Sequence, residues 1–304
     1  MPLVTTKAML LDAHNKDYAI GAFNANNLEM AQGIISAAEE ENAPVIIQVS
    51  QGGINYMGVE VIASGIIKLL KATTVPIALH LDHGLDLYYN LLALRSNFTS
   101  LMFDGSQFDF QENIKKTKKI VEIAHMFDIP VEAELGKVPK NPNEMSKEDL
   151  KKYMTDPLEA LEFVKKTNID SLAISVGSMH KMKVKSADLE IDRIKKIREV
   201  VDLPLVLHGS SGVTEDSIKK SIKAGISKVN VHTYLAQHFT QEVRKQLNNN
   251  QDLVDLRKYL DKGREALKKA VIEKIRLFNS SGRATDIDLS PIITQSGKIF
   301  KEMN

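Results

Sequence analysis

Residues 76–86 read PIALHLDHGLD, an apolar run that ends abruptly in His80, Asp82 and His83. The other histidines extend the pattern. His180 follows a sixth apolar run by a few residues, His208 ends a seventh and His232 falls in an eighth, leaving His14, His125 and His238 elsewhere. The chain has no cysteine, so disulfides, thiolate metal sites and cysteine nucleophiles are excluded, and any metal must be held by His, Asp or Glu. Imidazoles from several strand ends, without thiolates, suit a catalytic zinc that keeps one position open for substrate. His83, His180 and His208 are the ligands this reading selects. Asp82, beside them, has two readings that spacing leaves equal: an acid/base acting on substrate, or a carboxylate that orients a ligand. Glu132 and Glu134 alternate in EAELG and share a face. Burying two acids in an apolar strand is costly without cations or metal, so they read as a metal-facing pair. LHGSSGV (207–213) and NVHT (230–233) offer backbone donors to an anion.

Those residues need a scaffold that brings strand ends together. Short apolar runs recur eight times, at 18–24, 44–50, 76–82, 100–106, 130–135, 171–177, 204–209 and 228–233, with segments of helical periodicity between them. Alternating strand and helix, with strands apolar enough to be covered on their outer face, predicts an α/β fold: a (β/α)8 TIM barrel whose C-terminal rim carries the chemistry. Pro44, Pro76, Pro130 and Pro204 open their runs, as suits a first strand residue. The reading is one domain over 1–304. Within it, the polar, proline-punctuated stretch 136–157 is an active-site loop and residues 234–304 add C-terminal helices.

The 304 residues are 43% hydrophobic, with 40 basic and 39 acidic side chains for a net charge of +1. No overall field draws nucleic acid or an anionic membrane, so neither is an expected partner. The first residues carry no leader pattern and no run reaches membrane-span length, which gives a cytoplasmic expectation.

GAFNANNLE, PVIIQVSQGGINYMG, PIALHLDHG, EAELG, TDPLEALEFVKKTNIDSLAISVGSMH, LVLHGSSGV, KVNVHT and LRKYLDKGREALKKAVIEKIRLF together resemble the class II, zinc-dependent ketose-bisphosphate aldolases, in order, from about residue 3 to about residue 284. The resemblance implies reversible cleavage of fructose 1,6-bisphosphate to dihydroxyacetone phosphate and glyceraldehyde 3-phosphate, in a homodimer or homotetramer. It also implies Zn2+ on His83, His180 and His208, with Glu134 as a further metal-site residue, and a monovalent cation near Lys181. Asp82 matches the acid/base for the C4 hydroxyl and Asn230 the residue that steadies the enediolate. Ser50, Gly209, Ser211 and Thr233 match contacts to the dihydroxyacetone phosphate half.

Several positions depart from the family pattern. Ser210 replaces a glycine of the usual HGGSG turn, Lys181 stands where glycine is common, and His232 stands where aspartate is frequent; all three are expected to touch substrate. The loop lacks the family's paired glycines, so Glu144, Glu148 and Asp149 are equal candidates for its proton-shuttling acid, and DGSQ ends in Gln107 in place of histidine. These differences keep tagatose 1,6-bisphosphate, another ketose 1-phosphate and a catalytically weakened sugar-phosphate-binding barrel as alternatives. A Schiff-base aldolase is disfavoured because Lys228 is read as beginning its strand, and a metal hydrolase because the first strand ends AFN without an H-x-H pair.

Overall fold

The computed structural model describes residues 3–138, 151–179 and 187–289. Eight parallel strands appear where the apolar runs place them: β1 (Ile20–Asn24), β2 (Val45–Ser50), β3 (Ile77–Asp82), β4 (Leu101–Phe103), β5 (Val131–Leu135), β6 (Ser171–Ile174), β7 (Leu205–Leu207) and β8 (Ile226–Val231). β1 pairs with both β2 and β8, and the sheet runs on through neighbours to β3 at one end and β4 at the other. The ring closes between those ends: Leu81 N donates to Ser100 O at 3.0 Å and Gly84 N to Met102 O at 3.2 Å. This is the (β/α)8 barrel.

Side-chain alternation sorts each strand between two environments. Phe23, Val45, Ile47, Val49, Ile77, Leu79 and Leu81 join the large core under the surrounding helices. Ile20, Ala22, Ile46 and Ala78 form a separate cluster with Met9, Leu10 and Ala13 of helix α1 (Thr6–Asn15), which plugs the N-terminal end of the barrel. Above that plug the interior turns polar, with Asn24, Gln48, His80, Asp82, Glu132, Glu134, His208, Lys228 and Asn230 all buried.

Most of the covering helices are started by side-chain caps. Asn27 opens α2 (Leu28–Glu40), Ser50 opens α3 (Gln51–Met57), and α4 (Val59–Leu70) follows. Asp86 and Asp109 cap α5 (Leu87–Arg95) and α6 (Phe110–His125), each accepting a backbone N–H of the first turn. Asp156 precedes α7 (Pro157–Thr167), where proline at the first helical position has no N–H to leave unpaired. After α8 (Ile191–Val200) and α9 (Glu215–Lys223), the expected C-terminal helices are α10 (Thr233–Asn249) and α11 (Leu256–Leu277), which pack on each other, α11 also packing on α2. No single helix among the described residues is long and apolar enough to cross a membrane.

Two of the differences between the strand limits and the apolar runs bear on the site. β8 starts at Ile226 and ends at Val231, so His232 lies beyond the strand as the N-cap of α10, where φ −123° and ψ −69° turn the chain into the helix. Lys228 is therefore the third residue of β8, not its first as the apolar run suggests, and it is buried inside the barrel.

Candidate active site

Asp82 is the last residue of β3, and the backbone that follows decides what His83 can reach. His83 adopts φ 51°, in the left-handed region that is uncommon for residues other than glycine but that histidine enters more readily than most, and the surrounding backbone constrains it there. The constraint is visible in the turn, which Gly84 N to Met102 O and Asp104 N to Gly84 O tie to β4. It swings the His83 ring to 4.7 Å from the ring of His208, centroid to centroid.

Each imidazole is oriented by a carboxylate. His83 Nδ1 lies 2.8 Å from Asp104 Oδ2, and the other Asp104 oxygen accepts from the backbone and hydroxyl of Ser106. His208, one residue past β7, has Glu134 Oε2 at 2.9 Å from Nδ1 and Glu132 Oε1 at 3.1 Å from Nε2. His83, Glu134 and His208 each offer a ligand atom, all within 4.8 Å of one another. Two neutral-capable nitrogens and one carboxylate oxygen at that spacing fit a divalent borderline metal. His180, the third expected ligand, and Lys181 lie outside the described residues, as do Glu144, Glu148, Asp149 and most of the loop at 136–157.

The two strand-five acids do not act as a pair. Glu134 belongs to the possible metal group, whereas Glu132 is drawn to the far side of His208 by Lys228, whose Nζ lies 2.7 Å from Glu132 Oε2. The buried cation, and not a metal, satisfies the acid that strand alternation alone turns towards the rim with Glu134.

Asp82 is held by two amides. Asn24 Nδ2 donates to one oxygen at 2.8 Å and Asn230 Nδ2 to the other at 3.2 Å, while Gln48 Nε2 fixes Asn24 from behind at 2.7 Å. Asp82 Oδ1 is 3.8 Å from His83 Nε2, beyond hydrogen-bond range. Gln48 Oε1 and Asn230 Oδ1 are buried acceptors with no hydrogen-bond partner among the described residues. Asn230 Nδ2 has two N–H donors, of which one is given to Asp82, so the expected contact to an enediolate falls to the other.

Charge follows from these contacts. Burial opposes ionisation of Asp82, yet His83, His208 and the Asn24 hydrogen bond hold its carboxyl below the usual range. Burial pulls His208 down, but its bonds to Glu132 and Glu134 win and push it up to about 10. His83 is likewise raised, burial being outweighed by Asp82 and Asp104. His80, deeper in the barrel, is pulled down to about 3 by burial and by Lys228 beside it.

The rim encloses a cavity of about 550 Å3 lined by Asp82, His83, Asp104, Asn24, Gln48 and Asn230, with Ser50, Gly209, Ser210, Ser211, His232 and Thr233 completing its wall. Every expected substrate contact among the described residues is on that wall. Gly209 opens the turn after β7 at φ 66°, and a Cβ there would lie 2.7 Å from Met179 O, so the close approach of two loops needs glycine. The turn faces the start of α10, whose Tyr234 N donates to Ser211 Oγ at 3.3 Å. His232, exposed at the mouth, has Nε2 3.3 Å from Asn26 Nδ2.

Asp104, Asn24, Gln48 and Lys228 were not selected from the sequence. Asp104 carried the same signal as Asp82, an acid closing an apolar run, and Gln48 stands out as a polar residue two places before Ser50 in VIIQVS.

A family model for class-II fructose-bisphosphate aldolase matches residues 4–283. A fructose-bisphosphate aldolase from Staphylococcus epidermidis is 42% identical over 288 residues, covering 93% of this chain and all of the relative. One from Geobacillus stearothermophilus is also 42% identical, over 287 residues, covering 93% and 99%. Among solved structures, the YdjI aldolase of Escherichia coli K12 superposes with a TM-score of 0.81 at 39% identity, covering 93% of this chain and 99% of that one.

Proposed function

Because this chain belongs to the class-II fructose-bisphosphate aldolase family, lyases that cleave a carbon–carbon bond, we propose how its own residues divide that work. The family is generally zinc-dependent, and the zinc in this chain is assigned to His83, His208 and Glu134 together with His180. Bound there, zinc supplies Lewis acidity that stabilises negative charge developing on the ketone oxygen. Asp82 takes the proton from the C4 hydroxyl of the ketose as the C3–C4 bond breaks; C4 becomes the aldehyde and the bonding pair passes to C3 and the C2 oxygen.

The observation that carries the Asp82 assignment is the division of labour between two carboxylates. A ligand-orienting acid must hold an imidazole N–H, and Asp104 already does so at 2.8 Å, whereas Asp82 is 3.8 Å from His83. Asp82 is instead fixed by two neutral amides, which position it without supplying a proton. Each carboxylate oxygen keeps further acceptor capacity for a hydroxyl proton.

Gly209, Ser210, Ser211 and Thr233, between a glycine turn and the start of α10, are assigned to the phosphate on the dihydroxyacetone side, with Ser50 opposite. Fructose 1,6-bisphosphate is the proposed substrate. Tagatose 1,6-bisphosphate is the second reading, favoured by His232 at the mouth. Metal analysis paired with coupled cleavage assays on both sugars, before and after EDTA, tests the assignment. Stoichiometric zinc with chelator-sensitive turnover, faster on fructose 1,6-bisphosphate, is expected; zinc-loaded protein that cleaves neither sugar overturns it.

A further inference from the structure

We propose that Lys228 is a positioning residue for His208, acting through Glu132 from a place in the barrel interior that substrate never reaches. The inference rests on the reading of His208 as a metal ligand and adds how that ligand is held.

Lys228 is fully buried and absent from the cavity wall. Its ammonium sits 2.7 Å from Glu132 Oε2 and 3.5 Å from His80 Nε2. An ammonium has donors and no acceptor, so both atoms facing it must accept. For His80 this places the ring proton on Nδ1, where Ser100 Oγ lies at 2.8 Å, itself 2.9 Å from Thr6 Oγ1 of the plugging helix. For Glu132 it leaves Oε1 as the acceptor facing His208 Nε2 at 3.1 Å.

A ring that accepts on Nε2 cannot also satisfy Glu132, so His208 keeps its proton there. Nδ1 is then the nitrogen left for metal, and it is the one beside Glu134, which belongs to the candidate metal group while Glu132 does not. Lys228 thus selects the nitrogen that His208 presents, one contact removed from the metal. The line of contacts from Thr6 through Ser100, His80, Lys228 and Glu132 to His208 joins the plugged end of the barrel to the rim.

Lys228→Met alone leaves the buried Glu132 carboxylate without its cation and is expected to fold poorly. The informative variant is therefore Lys228→Met combined with Glu132→Gln, which removes both charges at nearly constant shape. Zinc affinity, measured by competition with a chromophoric chelator, is expected to fall about tenfold or more, while KM at saturating zinc stays within about twofold because neither residue lines the cavity. In the zinc-loaded wild type, histidine ring 15N shifts are expected to show His208 protonated on Nε2.

Equal zinc affinity in the double variant and a tightly binding wild type overturns this inference alone. A His208 proton on Nδ1 in the zinc-loaded wild type overturns it without recourse to any variant. A wild type that takes up no zinc overturns the metal assignment and this inference with it.

Discussion

Asp104 accepts from His83 Nδ1 at 2.8 Å and, being held in turn by Ser106, leaves the opposite nitrogen of the ring, Nε2, facing the rim. That relationship separates two acids that the sequence places at neighbouring strand ends. Asp104→Asn weakens the acceptor behind a ligand, so zinc affinity is expected to fall about 10–100-fold, with turnover returning when zinc is added in excess. Asp82→Asn is expected to behave in the opposite way, retaining zinc and losing about 10^2–10^4-fold in kcat. Chelator competition and steady-state assays on both variants decide the matter. An Asp104→Asn protein with wild-type zinc affinity, or an Asp82→Asn protein with wild-type kcat, would remove that residue from its role.

The barrel was legible because strand periodicity and opening prolines are local signals, and they survived as eight strands in the expected order. His83, His208 and Glu134 were legible as a candidate metal group because several metal-binding residue types fall at the ends of different strands, which a barrel brings to one rim. What local pattern could not supply was partnership across the barrel. Glu132 and Glu134 share a face, but only the position of Lys228, 96 residues away in sequence, decides that one acid meets a cation and the other the rim. The same holds for His83, whose direction depends on a left-handed turn pinned by Met102 and Gly84 that the letters HLDHG do not announce.

Gly209, between the assigned ligand His208 and the phosphate-facing serines, offers a test of the phosphate assignment once zinc is held saturating. Alanine there must hold φ 66° and bring its Cβ to 2.7 Å from Met179 O, so the turn has to move. The backbone strain alone amounts to about 1–2 kcal/mol. Gly209→Ala is expected to lower the melting temperature and, assayed at saturating zinc, to raise KM for the bisphosphate more than it lowers kcat. An unaltered KM in a folded protein would separate this turn from phosphate binding.

At the plugged end of the barrel, Asp170 just before β6 accepts from His125 Nε2 at 2.7 Å and from Val131 N at 2.9 Å, with Lys7 Nζ at 3.3 Å. Burial opposes its ionisation, but those hydrogen bonds and charges prevail and hold its carboxyl below the usual carboxylate range. The folded pKa is thus depressed below the unfolded one, so the stabilisation is present above the unfolded pKa and is lost as pH falls through the folded value. Asp170→Asn removes the charge while keeping the shape, and is expected to cost about 1–3 kcal/mol near neutrality. Denaturant unfolding of both proteins across pH should show the difference full above about pH 5 and shrinking progressively below about pH 4. A difference that stays constant from pH 7 to pH 3 would show that the carboxylate charge contributes nothing and that the loss lies in hydrogen-bond geometry alone.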